Sequence, residues 1–222
     1  MRVIKAETAG FCMGVSRAVR ILDEALAARR REEENTGKKP GVRLYTFGPI
    51  IHNPQFVREY EERGAICLND YTKAALGDTV VIRAHGLPKN LEQDLRRQAV
   101  NIIDATCPKV KAAQLAVQRA QCEEGGRLLL FGEAEHPEVK GLLSYAADDA
   151  LVFGTLEELR KLPLHKQGKY FLAAQTTQDK SIFTDAVKYV MSFISDAVKV
   201  LQTICDATKE RQEEVLRMAS QV

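Results

Sequence analysis

The chain has 222 residues, 32 lysines and arginines against 30 aspartates and glutamates, and 45% apolar residues. That is enough chain to bury a substantial core and fill two domains of ordinary size, and the balanced charge excludes a global field that would recruit nucleic acid or an anionic membrane. Five cysteines, an odd count, occur with no apolar signal-peptide core near Met1 and no apolar run of about 20 residues, so we expect reduced thiols in a cytoplasmic protein without a membrane span.

In chain order, RVIKAETAGFCMGVSRAVRILDEAL reads as a short strand, then Gly10-Phe11, then Cys12 and an amphipathic helix. ARRREEENTGKKPG follows and breaks at Gly37 to Gly41. Its charges read as a solvated helix end with Arg–Glu pairs rather than as a nucleic-acid patch. Arg43 to Phe47 reads as a strand, followed by a loop holding His52 and a helix entered through Pro54. The plan repeats with strand Thr79 to Arg83, the pair His85-Gly86, and a helix near Pro88.

NIIDATCPKVKAAQLAVQRA begins with the apolar pair Ile102-Ile103, breaks at Asp104-Ala105-Thr106, and continues as a helix opened by Pro108, with Cys107 at the seam. Arg127 to Phe131 is a strand leading to His136-Pro137-Glu138 and a helix. Tyr170 to Ala174 is another, leading to Gln175-Thr176-Thr177 and a helix. VKVLQTICDATKERQEEVLRMA ends the chain with a strand, Cys205, the capping candidates Asp206 and Thr208, and a last helix.

Short apolar strands alternating with helices predict an α/β protein with mostly parallel sheets, in which ligands bind beyond the carboxyl ends of the strands. The unusual polar residues fall at such ends. Cys12, Cys107 and Cys205 share one local setting at intervals of 95 and 98 residues, which suggests lobes arranged around a shared centre. Lobe boundaries are expected near Ala105 and Thr203, giving 1–105, 106–203 and the start of a third lobe at 204–222.

A thiol at a helix N-terminus faces unpaired N–H groups that favour the thiolate. The wide spacing excludes local CxxC knuckles and the compact ferredoxin run, leaving a metal centre held between lobes by three thiolates. An iron–sulfur cube held by three cysteines instead of four keeps one iron open to a substrate oxygen. Cys67 and Cys122, away from such seams, read as small buried apolar side chains. His165 reads as a solvent-facing loop residue. His52, His85 and His136 each follow a strand and read as hydrogen-bond donors to an anion. Glu138 either favours its helix N-terminus electrostatically or donates a proton. Thr176 and Thr177 taken alone are ordinary caps.

GFCMGVSRAV, IIHN, RAHG, DATCPKV, HPEVKG, QTT and ICDATKERQ, in this order from residue 3 to the end, resemble the 4-hydroxy-3-methylbut-2-enyl diphosphate reductase family, which acts last in the methylerythritol phosphate route to isoprenoids. The resemblance implies a trefoil of α/β lobes around a 4Fe-4S cluster bound by Cys12, Cys107 and Cys205. It implies that His52 and His85 bind the diphosphate of the allylic substrate and that His136 lines the substrate pocket, that Glu138 delivers a proton, and that Thr176 orients the substrate hydroxyl and helps relay that proton. An external electron donor such as ferredoxin or flavodoxin is implied too, with no nucleic-acid or membrane partner. Family members continue past the third cysteine through most of another lobe. The resemblance therefore implies that the third lobe is largely missing and that these residues alone turn over poorly. Competing readings are a non-catalytic iron–sulfur redox sensor, a phosphate-binding fragment of the same descent, and a zinc-stabilised phosphate-binding module.

Overall fold

The computed structural model describes residues 3–37, 41–51, 53–123, 125–195 and 198–219. His52 lies outside the described residues. The chain divides into two compact units, Met13–Pro108 and Met1–Cys12 with Lys109–Val222. The expected boundary near Ala105 and the expected third-lobe segment 204–222 stand beside this division: the last helix and the first twelve residues belong to the unit of the second sheet.

In Met13–Pro108, the helix α1 (Met13–Thr36) precedes four strands, β1 (Leu44–Phe47), β2 (Ala65–Leu68), β3 (Thr79–Ile82) and β4 (Asn101–Asp104), all paired in parallel in the order β2-β1-β3-β4. Helices α2 (Pro54–Glu62) and α3 (Lys89–Arg97) connect them. Alternation along the strands sends Leu44 and Val81 to one face, against Ala18, Leu22 and Leu26 of α1. Tyr45, Phe47, Val80 and Ile82 go to the other, against Leu95 of α3. Asn53 caps α2 by accepting from the amides of Gln55 and Phe56, and Pro54 takes the first turn. At the far end of α1, Gly37 adopts φ +66° and donates to Glu33 O at 2.8 Å, which terminates the helix where the charged run ends.

The second sheet repeats the winding. β5 (Arg127–Phe131), β6 (Leu151–Phe153), β7 (Tyr170–Ala174) and β8 (Val198–Val200) pair in parallel in the order β6-β5-β7-β8. The helices are α4 (Pro108–Glu123), α5 (Pro137–Leu143), α6 (Leu156–Lys161), α7 (Lys180–Phe193) and α8 (Asp206–Ala219). Leu128, Leu130, Phe171 and Ala173 face Ala113, Val117 and Val139, whereas Leu129, Phe131 and Leu172 face Leu159, Phe183 and Val190. Phe131 stacks between Phe153 and Phe183 at centroid distances of 5.4 and 6.3 Å, an arrangement that adds to simple burial.

In each sheet the winding direction reverses between two central strands, β1 and β3 or β5 and β7. That reversal opens a crevice at their carboxyl ends, where such sheets bind ligands. No helix among the described residues is long and apolar enough to cross a membrane.

One expected strand is absent. Residues 3–12 carry no strand assignment, because their polar backbone is satisfied by side chains of α8 instead of a ladder. Glu214 accepts from the amides of Glu7 and Thr8 and from the Thr8 hydroxyl, and Arg211 donates to Gly10 O at 2.9 Å. Cys122 is also a correction: it is exposed, in the last turn of α4, where its side chain faces away from the sheet that α4 covers.

Candidate active site

Each of the three singled-out cysteines is the residue immediately before a helix: Cys12 before α1, Cys107 before α4, Cys205 before α8. All three are free and half-buried. In the first sheet the ladder continues past β4, with Ala105 N donating to Ile82 O at 3.0 Å and Cys107 N donating to Ala84 O at 2.9 Å. Arg17 of α1 braces this turn by donating to the carbonyls of Thr106 and Asp104 at 3.1 and 3.3 Å. The Cys107 sulfur lies against Gly14, where a Cβ would stand 2.5 Å from it, so glycine in the GFCMG run makes room for the thiol. In the second sheet Cys205 N donates to Thr176 O at 2.7 Å. Both cysteine amides thus reach the carbonyl two residues beyond the neighbouring central strand.

Glu138 and Thr176 meet in the crevice between β5 and β7. Glu138 is 1% exposed and Thr176 4%. The Thr176 amide donates to Glu138 Oε1 at 2.6 Å and the Thr176 hydroxyl to Oε2 at 3.0 Å. Burial raises the Glu138 pKa above the ordinary carboxylate value, and the two bonds from Thr176 oppose that shift without cancelling it. His136 caps α5: its Nδ1 accepts from Glu138 N at 3.1 Å, so the neutral ring carries its proton on Nε2. Gly132, at the end of β5, lets α5 approach, since a Cβ there would stand 2.8 Å from Val139 Cγ2 and 3.0 Å from Gln175 Cβ. A groove of about 380 Å³ lies beside Cys205, lined by Gln178, Lys180, Ser181, Asp206 and Lys209 among others.

The crevice between β1 and β3 carries a cation instead. His85 stands half-buried three residues past β3, and Arg83 precedes it. The Arg83 Nε is buried without a hydrogen-bond partner, and burial lowers the guanidinium's pKa. Gly48, at φ +71°, passes over this guanidinium so closely that a Cβ would stand 2.6 Å from one of its terminal nitrogens. Burial pushes the neighbouring Cys67 thiol up, which keeps it protonated and leaves the charge of Arg83 standing.

Sequence reasoning marked Cys12, Cys107, Cys205, His85, His136, Glu138 and Thr176 as strand-end residues. Within the unit of the second sheet, the structure brings Glu138, Thr176, His136 and the Cys205 amide together. Among the described residues, no three His, Cys, Asp or Glu side chains gather into a metal-binding cluster within either unit. Reasoning from sequence missed Arg17, Arg83, Gly48 and Glu214. The dipeptide Phe47-Gly48 before Pro49 was the one available signal among these, as a glycine directly after a strand.

The sequence profile of the LytB protein family matches residues 3–222. A 4-hydroxy-3-methylbut-2-enyl diphosphate reductase from Nitratidesulfovibrio vulgaris is 53% identical over all of this chain, which spans 76% of that relative. The protein of that name from Aquifex aeolicus is 40% identical over 99% of the chain and 72% of its own length. The solved structure of (E)-4-hydroxy-3-methyl-but-2-enyl diphosphate reductase, the terminal enzyme of the non-mevalonate pathway, superposes with a TM-score of 0.78 at 39% identity, covering 99% of this chain and 74% of that one. A reductase structure from Plasmodium falciparum gives 0.79 at 25% identity, over 96% of this chain and 63% of its own. The family profile and identities of 40–53% along nearly every residue leave one conclusion, that this chain belongs to the LytB family.

Proposed function

We propose that the chain acts as its relatives are named, as an oxidoreductase that converts 4-hydroxy-3-methylbut-2-enyl diphosphate by reductive dehydroxylation into isopentenyl and dimethylallyl diphosphates, the last step of the methylerythritol phosphate pathway. The reaction takes the substrate's C–OH, two electrons and two protons, and yields a C–H bond and water. The observation that carries this reading is the buried Glu138 carboxyl bonded to both the amide and the hydroxyl of Thr176.

Three cysteines set alike before helices, with no acidic side chain substituting for any of them, form a donor set suited to an iron–sulfur group. Cys12, Cys107 and Cys205 would hold a 4Fe-4S cluster. When bound, that group supplies electrons one at a time and a Lewis-acidic iron with an open coordination position. Everything else falls to the chain's own side chains. Glu138, whose burial makes it hold a proton more tightly than an ordinary carboxyl, gives that proton to the leaving hydroxyl, and the carboxylate left behind is stabilised by the two hydrogen bonds from Thr176. Thr176 orients the substrate hydroxyl and relays the proton outward, giving its own hydroxyl proton to the leaving oxygen while taking the one from Glu138 across their 3.0 Å contact. His52, His85 and the Nε2–H of His136 donate to substrate oxygens. Arg83 adds positive charge at the edge where His85 stands, which favours the diphosphate there. The electrons come from an external small donor protein of the ferredoxin or flavodoxin kind, and the reaction proceeds in the cytoplasm, without nucleic acid or membrane.

Glu138→Gln tests the reading in the anaerobically reconstituted chain, measured against the slow turnover expected of the parent residues alone. Turnover is expected to fall by roughly 100-fold to 10,000-fold, while iron, acid-labile sulfide and the cluster spectrum stay as in the parent. Unchanged turnover would overturn the assignment of Glu138. Zinc without sulfide would instead favour the zinc-stabilised module.

A further inference from the structure

The two cysteine-bearing connections reach the same kind of endpoint by different means. After β4, backbone amides alone carry the ladder from Ile82 to Cys107. After β8 the backbone fails partway. Leu201 N still donates to Leu172 O at 2.8 Å, but Thr203 N turns back to Leu201 O at 3.0 Å and is lost to the neighbouring strand. Ala174, the last residue of β7, would then bury an amide and a carbonyl without partners. The Thr203 hydroxyl serves both, accepting from Ala174 N at 2.8 Å and donating to Ala174 O at 2.7 Å, in a position only 7% exposed. Two residues later Cys205 N donates to Thr176 O, and the Thr176 amide in turn donates to Glu138.

We propose that Thr203 is a positioning residue, whose hydroxyl stands in for the missing strand peptide and thereby fixes the Cys205 backbone and, through the Thr176 peptide, the Glu138 carboxyl in one hydrogen-bonded line. The inference rests on the roles assigned above to Cys205 and Glu138. A hydroxyl is required because one group must both accept and donate at a buried site, which neither a methyl nor an amine does in the same space. The separation of the two partners from Thr203, 29 residues, makes this a tertiary device invisible to any local pattern.

The test compares Thr203→Val, which keeps the shape and removes the hydroxyl, with Thr203→Ser, which keeps the hydroxyl. In the metal-free chain, amide hydrogen exchange at Cys205 and Thr176 is expected to accelerate about tenfold or more in the valine variant, the effect of leaving buried polar groups unpaired. Amides of Leu129 and Val190 stay protected as in the parent, and the serine variant stays near the parent throughout. In the reconstituted chain, the valine variant is expected to show a broadened paramagnetic signal from the reduced cluster and an acid limb of its turnover profile displaced from the parent's, both restored by serine. Exchange at Cys205 within about twofold of the parent, equal effects of valine and serine, or acceleration spread evenly over the sheet would each overturn the proposal. A parent chain that takes up no iron and sulfide would sink the assigned function instead, and the exchange comparison would still decide the role of the hydroxyl.

Discussion

The crevice between β1 and β3 and the crevice between β5 and β7 occupy the same place in two sheets of identical winding, yet one holds a half-buried guanidinium and the other a buried carboxyl. Parallel sheets with the same strand order impose the same opening at the same ends. What the opening can bind is set by one or two side chains just past the strands. Arg83 and His85 make the first suited to an anion. Glu138 and Thr176 make the second suited to moving a proton. The same scaffold therefore carries two different chemistries, and under the proposed function the first crevice would grip the diphosphate and the second would deliver the proton.

The largest effect expected from breaking this comparison is on packing. Both crevices depend on a glycine, but Gly132 abuts Val139 Cγ2 and the Gln175 Cβ, neither able to swing away, whereas Gly48 abuts the far end of a flexible arginine. Gly132→Ala is expected to cost about 2–3 kcal/mol by overpacking and to displace α5 with Glu138. Gly48→Ala is expected to cost about 1–2 kcal/mol, chiefly because alanine is strained at positive φ. Thermal and denaturant unfolding of both variants checks the order, and a reversed order would show that Arg83 is the more rigid wall.

A smaller effect sharpens the charge assignment. A half-buried guanidinium whose Nε has no hydrogen-bond partner is held at a cost to the fold, so Arg83→Met is expected to stabilise the ligand-free chain by on the order of 1 kcal/mol. The same change is expected to weaken inorganic pyrophosphate binding roughly tenfold, as loss of a charge-assisted contact does. Calorimetric titration and melting curves measure the two together. Loss of stability with unchanged pyrophosphate affinity would mean that Arg83 is a packing residue.

The smallest expected effects are opposite pH signatures from two carboxyls of one unit. Glu138 has a raised pKa because it is buried, so the folded chain holds its proton more tightly than the unfolded chain. Its contribution to stability is complete below the ordinary carboxylate range and is lost as pH rises through the raised value. Glu214 has a lowered pKa, mainly from the Thr8 hydroxyl and amide, so its contribution is present above the ordinary range and is lost as pH falls through the lowered value. Glu138→Gln is expected to flatten the first slope and Glu214→Gln the second, read from midpoints of unfolding across the acid range. Parallel behaviour of the two variants would contradict these environments.

The central strands were legible because their residues are apolar on both faces: Arg127–Phe131 and Tyr170–Ala174 appear with the bounds their composition suggests. β2 and β6, edge strands of four and three residues, went unmarked because no unusual polar residue at their ends set them apart as it did the strands leading to His85, Cys107 and Cys205. The seams before α4 and α8 were legible through Pro108 and through Asp206 with Thr208. The strand expected before Cys12 was not there, since Ile4 and its neighbours hold the alternation of a strand without a partner strand to pair with. Arg17, Thr203 and Glu214 escaped notice because each acts on backbone 29 to 207 residues away, where spacing along the chain carries no information.

The tethered amides of Cys107 and Cys205 have one further consequence. A sulfur whose own peptide is stitched into a sheet has little latitude to follow a guest that swells or shrinks as its charge changes. On the function proposed above, a group bound at either thiol would have to adapt to the protein, and its change of charge would be met by small rearrangement of the backbone around it.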